Sequence, residues 1–179
     1  MRTRLLSLPL LTLLLACAER ADEAVIAEPV ACVVEGLRNC AQTGDVIFGG
    51  QPTPTALEYL AEQGYTTIVS TRGINELDWD ERAAVEALGM RFVSIPMENP
   101  VTEITDEQVA RLAEVIEHPD GPTLLHCGSG NRVSGLWAVY LAEQAGVEPG
   151  RALELAERAG MTGVRPAVEA RLGVVGTTR

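Results

Sequence analysis

The residues with the clearest chemical potential lie in one stretch, residues 122–140, PTLLHCGSGNRVSGLWAVY. Cys127 opens a polar loop, Arg132 closes it, and the four residues between them are Gly128, Ser129, Gly130 and Asn131. Ahead of the loop, Thr123-Leu124-Leu125 is a short apolar run of buried-strand type. Beyond it, Leu136, Trp137, Tyr140 and Leu141 recur at helical spacing. A strand that delivers a Gly-rich loop onto a helix start builds an anion site, because successive backbone N–H groups and the helix dipole converge there. Those N–H groups favour the thiolate form of Cys127. The planar fork of Arg132 suits two oxygens of a tetrahedral anion. A thiolate beneath an anion cradle, with a guanidinium gripping the same anion, is equipped to attack phosphorus. The alternative is a structural cysteine in a tight turn with Arg132 in an ordinary ion pair. The coincidence of thiol, glycines and Arg at a strand-to-helix junction favours the chemical reading.

The elements that must position this loop alternate along the chain. Asp45–Phe48, the β-branched run Thr66–Thr71, Arg91–Pro96 and the run before Cys127 read as strands. Between them, Thr53 as N-cap with Pro54 at the first position opens a helix that Gly64 ends. A second helix lies near Trp79–Leu88, and the capping box Thr105-x-x-Gln108 begins a third, reaching about Glu117. Two further helices follow the loop helix, over Gly150–Ala159 and about Pro166–Leu172. This pattern predicts one α/β domain over residues 44–175, with a parallel-rich central sheet of about four strands and helices on both faces. Ligands of such sheets sit at the carboxyl ends of the strands. Arg72, the Met97–Thr105 loop and Cys127 all emerge at that edge. Arg72 and Glu76 are therefore pocket candidates, the alternative being an Arg–Glu pair that caps a strand end. Gln51 is a third candidate, against a plain polar turn.

The motifs carry a resemblance. His126-Cys127-x-x-Gly130-x-Arg132 resembles the signature loop of the protein tyrosine and dual-specificity phosphatases, one residue short of the superfamily standard. A bacterial branch accepts the shorter loop, the phosphatase-like domain associated with beta-lactamase-hydrolase-like proteins. Gly49-Gly50-Gln51-Pro52-Thr53-Pro54 is similar to its entry motif, and Thr67–Arg72 followed by Glu76 to its second strand and loop. The likeness spans about residues 44–165. It implies a cysteine phosphatase-like fold and hydrolysis of phosphate monoesters through a phosphocysteine intermediate, with a phosphorylated small molecule or phosphoprotein as substrate. It also implies that His126 orders the loop and favours the thiolate; otherwise His126 is a satisfied core histidine. The loop backbone from Gly128 to Asn131, with Arg132, would hold the phosphate. The superfamily's general acid is an Asp on a mobile loop upstream. Here Glu98, 29 residues before Cys127, stands in the corresponding strand-to-helix loop, although outside the family's Asp motif, and a solvated loop carboxylate is the alternative. The hydroxyl that usually follows the Arg directly is also displaced, since Val133 intervenes before Ser134. Two other readings stay open: a rhodanese-like sulfurtransferase, whose active loop C-x4-R also resembles, and a catalytically weak phosphate-binding module. None of these requires a metal or a cofactor, and neither is expected.

The chain begins with a basic segment, Met1–Arg4, and a leucine-rich run, Leu5–Leu15, too short to span a bilayer. Leu14-Leu15-Ala16-Cys17 resembles a bacterial lipobox, which implies a signal peptide over residues 1–16 and lipid on Cys17. The alternative is simple secretion with cleavage around Ala16-Cys17-Ala18. Either implies export to the periplasm, and Ala18 after the cysteine implies sorting to the outer membrane by resemblance to lipoproteins. Residues 17–43 read as a tether with a candidate disulfide loop between Cys32 and Cys40, against two free buried thiols. The net charge is −11 and becomes −13 once Arg2 and Arg4 are removed. That excess of negative charge argues against nucleic acid as a partner. Oligomeric state is not encoded in any of these features.

Overall fold

The computed structural model describes residues 27–98 and 101–174. The signal peptide and lipidated Cys17 expected from the sequence, and the chain end at Gly176–Arg179, lie outside the described residues. In chain order the elements are β1 (Val30–Ala31), β2 (Ala41–Thr43), β3 (Val46–Gly49), α1 (Pro54–Glu62), β4 (Thr67–Ser70), α2 (Glu81–Ala87) and β5 (Arg91–Ser94). They continue as α3 (Asp106–Glu117), β6 (Thr123–His126), α4 (Asn131–Glu143), α5 (Pro149–Arg158) and α6 (Arg165–Leu172). A single 3-10 turn, Ile74–Glu76, follows β4.

The sheet has six strands rather than about four, in the order β1-β2-β3-β6-β4-β5. Strands β3, β6, β4 and β5 are parallel and are the four read from the sequence. Strands β1 and β2 add an antiparallel edge. They span two and three residues, too few to show an alternating pattern, and they fall in the stretch taken as tether.

Consecutive strand residues face opposite sides of a sheet, and both sides are covered. Ile47, Ile68 and Leu124 pack with Leu57 and Leu60 of α1 and Val85 of α2. Phe48, Val69 and Leu125 pack the other way, with Leu112 of α3, Leu136 and Trp137 of α4 and Leu155 of α5. Burial of each such side chain stabilises by about 1.5–3 kcal/mol. Helix α4 is buried along nearly its whole length, from Arg132 to Leu141. Its Trp137 ring meets Phe48 of β3 at 4.7 Å between centroids. The loop after β6 is thus held between a fully buried strand and a helix buried along nearly its whole length.

The local signals for these elements are satisfied as expected. Thr53 accepts from Ala56 N at 3.2 Å. Thr105 and Gln108 close a reciprocal capping box, with bonds of 2.9 Å and 3.3 Å. Helix α2 starts later than the sequence suggested, because Asp80 caps it by accepting from Ala83 N at 3.0 Å. Cys32 and Cys40 form a disulfide.

Candidate active site

Strand β6 ends at His126, and the chain turns through Cys127–Gly130 into α4. Gly130 is the N-cap, in the left-handed region at φ 89°, where a side chain would be strained. A β-carbon there would also stand 3.5 Å from the Gly49 backbone. The neighbouring entry motif is tighter. Gly50 passes so close that a β-carbon would stand 3.1 Å from the Gly128 carbonyl and 3.4 Å from that of Arg38. Within this wrap Cys127 is buried, and the Gly130 N–H donates to its Sγ at 3.2 Å. Cys127 is the free cysteine among the described residues.

Arg132 lies in the first turn of α4 and curls back to the loop. Its Nη1 and Nη2 donate to Glu76 Oε1 and Oε2 at 2.6 Å and 2.5 Å, and Nη1 also donates to the Met97 carbonyl at 2.9 Å. A guanidinium carries five N–H donors, so these three bonds leave Nε and the second Nη2 hydrogen as a fork for two anion oxygens. The bond from Arg132 is the main cause that holds the Glu76 carboxyl down to about 2. Glu76 is therefore ionised at any working pH and fixes the guanidinium plane.

The pocket candidates read from the sequence assemble around that pair. Arg72 lies 3.4 Å from Glu76 Oε2, donates to the Glu76 carbonyl, and donates to Gln51 Oε1 at 2.9 Å. Gln51, Arg72, Glu76 and Arg132 thus form one chain of polar contacts along the strand ends. Glu76 does more than cap a strand with Arg72, since both oxygens of its carboxylate accept from Arg132.

His126 is fully buried beneath the loop. Its Nε2 lies 3.2 Å from Glu81 Oε1, yet no aligned hydrogen bond reaches either ring nitrogen. Burial pushes the imidazole down to about 3 and pushes the Glu81 carboxyl up. Both groups are biased toward their neutral forms, so this contact is not an ion pair. His126 can order the loop by packing, but at neutral pH it has no positive charge to offer the thiolate. Gln51 Nε2 donates to Glu81 Oε1 at 2.5 Å, which joins this dyad to the Arg72 chain.

Glu98 lies on the coil after β5 and is exposed. It lines a cleft of about 520 Å³ together with Gly73, Glu76, Met97 and Glu103. Two of those, Glu76 and Met97, bond Arg132, while neither Arg132 nor Cys127 lines the cleft itself. Asn131 turns its side chain away from the loop, and its Oδ1 accepts from Thr162 N, Thr162 Oγ1 and Val164 N at 2.7, 3.1 and 3.3 Å. Ser134 donates to the Ala159 carbonyl at 2.8 Å and is committed to the α5 end. Sequence reasoning missed Glu81, which reads as an ordinary acid in a helix first turn, and it missed Arg38 and Asn39, which reach the loop from a distant segment. Among the described residues no cluster of three His, Cys, Asp or Glu could hold a metal.

A buried cysteine in a Gly-rich turn at the end of a parallel strand, with an Arg in the first turn of the next helix, is the arrangement of a cysteine-dependent phosphatase. Residues 28–166 match the family model described as DSP-PTPase phosphatase fused to NAD+ kinase. The chain belongs to that family, within the tyrosine and dual-specificity phosphatase-like enzymes. Solved structures share the fold. TpbA of P. aeruginosa is 20% identical at a TM-score of 0.64, covering 84% of this chain and 91% of that one. A putative phosphatase from Shewanella putrefaciens CN-32 is 22% identical at 0.61, covering 77% and 88%. Tk-PTP in its active form is 19% identical at 0.64, covering 79% and 97%. A variant of TpbA has been solved in complex with phosphotyrosine. No curated protein matches the chain.

Proposed function

We propose that this domain hydrolyses phosphate monoesters through a phosphocysteine intermediate, and that it works outside the cytoplasm on a lipid tether at Cys17. The Cys127 thiolate attacks phosphorus. The loop amides and the open fork of Arg132 hold the non-bridging oxygens, and Glu98 gives a proton to the departing ester oxygen. Water then attacks the thiophosphate ester, frees phosphate and returns the thiolate. The observation that carries this reading is the Gly130 N–H aimed at Cys127 Sγ, with Arg132 clamped beside it by Glu76. Phosphotyrosine bound to a variant of TpbA supports a phosphorylated substrate, with a phosphoprotein or a small phosphate ester as the choices. Residues 1–16 would be the signal peptide, and the disulfide between Cys32 and Cys40 suits an oxidising compartment.

The four-residue loop keeps a sulfur-transfer reading within one assay, and the commitment of Ser134 to Ala159 keeps a slow, phosphate-binding module within the same one. The exported domain is incubated with p-nitrophenyl phosphate and, separately, with thiosulfate plus cyanide, alongside Cys127→Ser. The proposal expects phosphate release that Cys127→Ser abolishes, and no thiocyanate. Thiocyanate without phosphate release, phosphate binding with no turnover, or hydrolysis that survives the substitution would each contradict it.

A further inference from the structure

The loop closed by the Cys32–Cys40 disulfide does not lie apart from the site. It crosses the outer face of the phosphate loop. Asn39 Nδ2 donates to the Ser129 carbonyl at 2.9 Å, and Arg38 Nη2 reaches the Gly128 carbonyl at 3.5 Å. A trans peptide is planar, and its C=O and N–H point in opposite directions. The peptide between Ser129 and Gly130 therefore has its oxygen held outward by Asn39 and its N–H held inward on Cys127 Sγ at 3.2 Å. One rigid plane links Asn39 to the sulfur. The preceding peptide is held in the same sense, since the Gly128 oxygen also accepts from Gln51 N at 3.4 Å, which turns the Ser129 N–H toward the seat.

The backbone of Asn39, an exposed residue, is held on both sides. It is the one non-glycine residue with positive φ among the described residues, at 55°, a conformation Asn tolerates better than most side chains. The disulfide closes on one side of it. On the other, the Arg38 carbonyl accepts from Gly50 N at 2.7 Å and the Gly36 carbonyl from Thr53 N at 3.0 Å. Leu37 is buried under Gly49, where a β-carbon would stand 2.7 Å from the Leu37 Cδ1.

We propose that Asn39 is a positioning residue for the nucleophile, acting through the Ser129–Gly130 peptide plane, and that the Cys32–Cys40 disulfide serves the site by fixing Asn39. This rests on Cys127 being the nucleophile, and the test separates the two ideas. The full chain is compared with Asn39→Gly, which keeps the backbone conformation accessible, with Cys32→Ser/Cys40→Ser, and with the triple variant. Cys127 alkylation by iodoacetamide is followed across pH by peptide mass analysis, as the ratio of the neutral rate to the alkaline plateau, which cancels differences in access. For Asn39→Gly that ratio falls about five- to tenfold, the worth of one hydrogen bond, and kcat on p-nitrophenyl phosphate falls in step while the melting temperature moves little. The disulfide variant shows the same loss, and the triple variant is no worse than either, because all act through one contact. A wild-type alkylation ratio and kcat in Asn39→Gly would overturn the proposal, and if the disulfide variant does not fold, that single variant decides. Wild-type chain that releases no phosphate, with an alkylation ratio that still falls in Asn39→Gly, would defeat the phosphatase mechanism and leave the positioning role standing.

Discussion

Arg132 has two tasks, to bind the anion and to stay still, and Glu76 separates them. The carboxylate takes one edge of the guanidinium and leaves the other for substrate. The Glu76 carboxyl is ordinarily near 4.5 and is held to about 2 in the fold. A lowered carboxyl stabilises the folded state above its unfolded value, and that stabilisation disappears as pH falls through the folded one. Glu76→Gln should therefore destabilise by about 1–2 kcal/mol at neutral pH, a figure kept low because the side chain is partly exposed to solvent. Urea unfolding midpoints of the two proteins should converge on acidification toward about pH 2, and a gap that stays constant with pH would contradict this role. Glu98 is tested by leaving group. Glu98→Gln should slow alkyl phosphates by about 10²-fold or more while p-nitrophenyl phosphate, whose leaving group needs little protonation, slows far less. Equal slowing of both would remove Glu98 as the acid.

At the scale of elements, the loop depends on how α4 is seated. Asn131 bonds the 162–164 turn, Ser134 bonds Ala159, and Gly135 lets α6 approach. A β-carbon at Gly135 would meet Val164 Cγ2 at 2.4 Å, which is a clash with a stiff branched side chain. Gly135→Ala should cost about 1–3 kcal/mol in stability, as overpacked core positions do, read by thermal or urea unfolding; a wild-type midpoint would show that the α4–α6 seam yields freely. None of this seating was legible from spacing. Asn131 reads as part of the phosphate-binding loop and Ser134 as a hydroxyl displaced by one place from Arg132, but a helical turn rotates their side chains toward the 162–164 turn and the end of α5. The strands and helices themselves were legible, since Thr53-Pro54, Thr105-x-x-Gln108 and the β-branched run Thr66–Thr71 each signal through their nearest neighbours. Strands β1 and β2 were not, because they take their identity from pairing, β2 with β3 and β1 with β2, rather than from their own few residues.

Across the whole molecule, the sheet joins segments far apart in sequence at one edge. Cys127 and Arg132 could be read locally because strand, loop and helix are contiguous there. Arg72, Glu76 and Gln51 could be placed at the same edge by topology, but their order of contact could not, and neither could the buried Glu81–His126 dyad or the reach of Asn39. Contacts between residues 30 to 90 positions apart follow from tertiary packing and leave no trace in periodicity. In a strongly acidic chain, Arg38, Arg72 and Arg132 gather around the loop, and Glu76 pairs with two of them, Arg72 and Arg132.

The measurement closest to the central claim is rapid quenching of the wild-type chain with p-nitrophenyl phosphate, followed by mass analysis of the peptide that carries Cys127. A phosphoryl group should appear on the Cys127 sulfur in step with the first release of nitrophenol. Phosphate release at full rate with Cys127 never phosphorylated would contradict it.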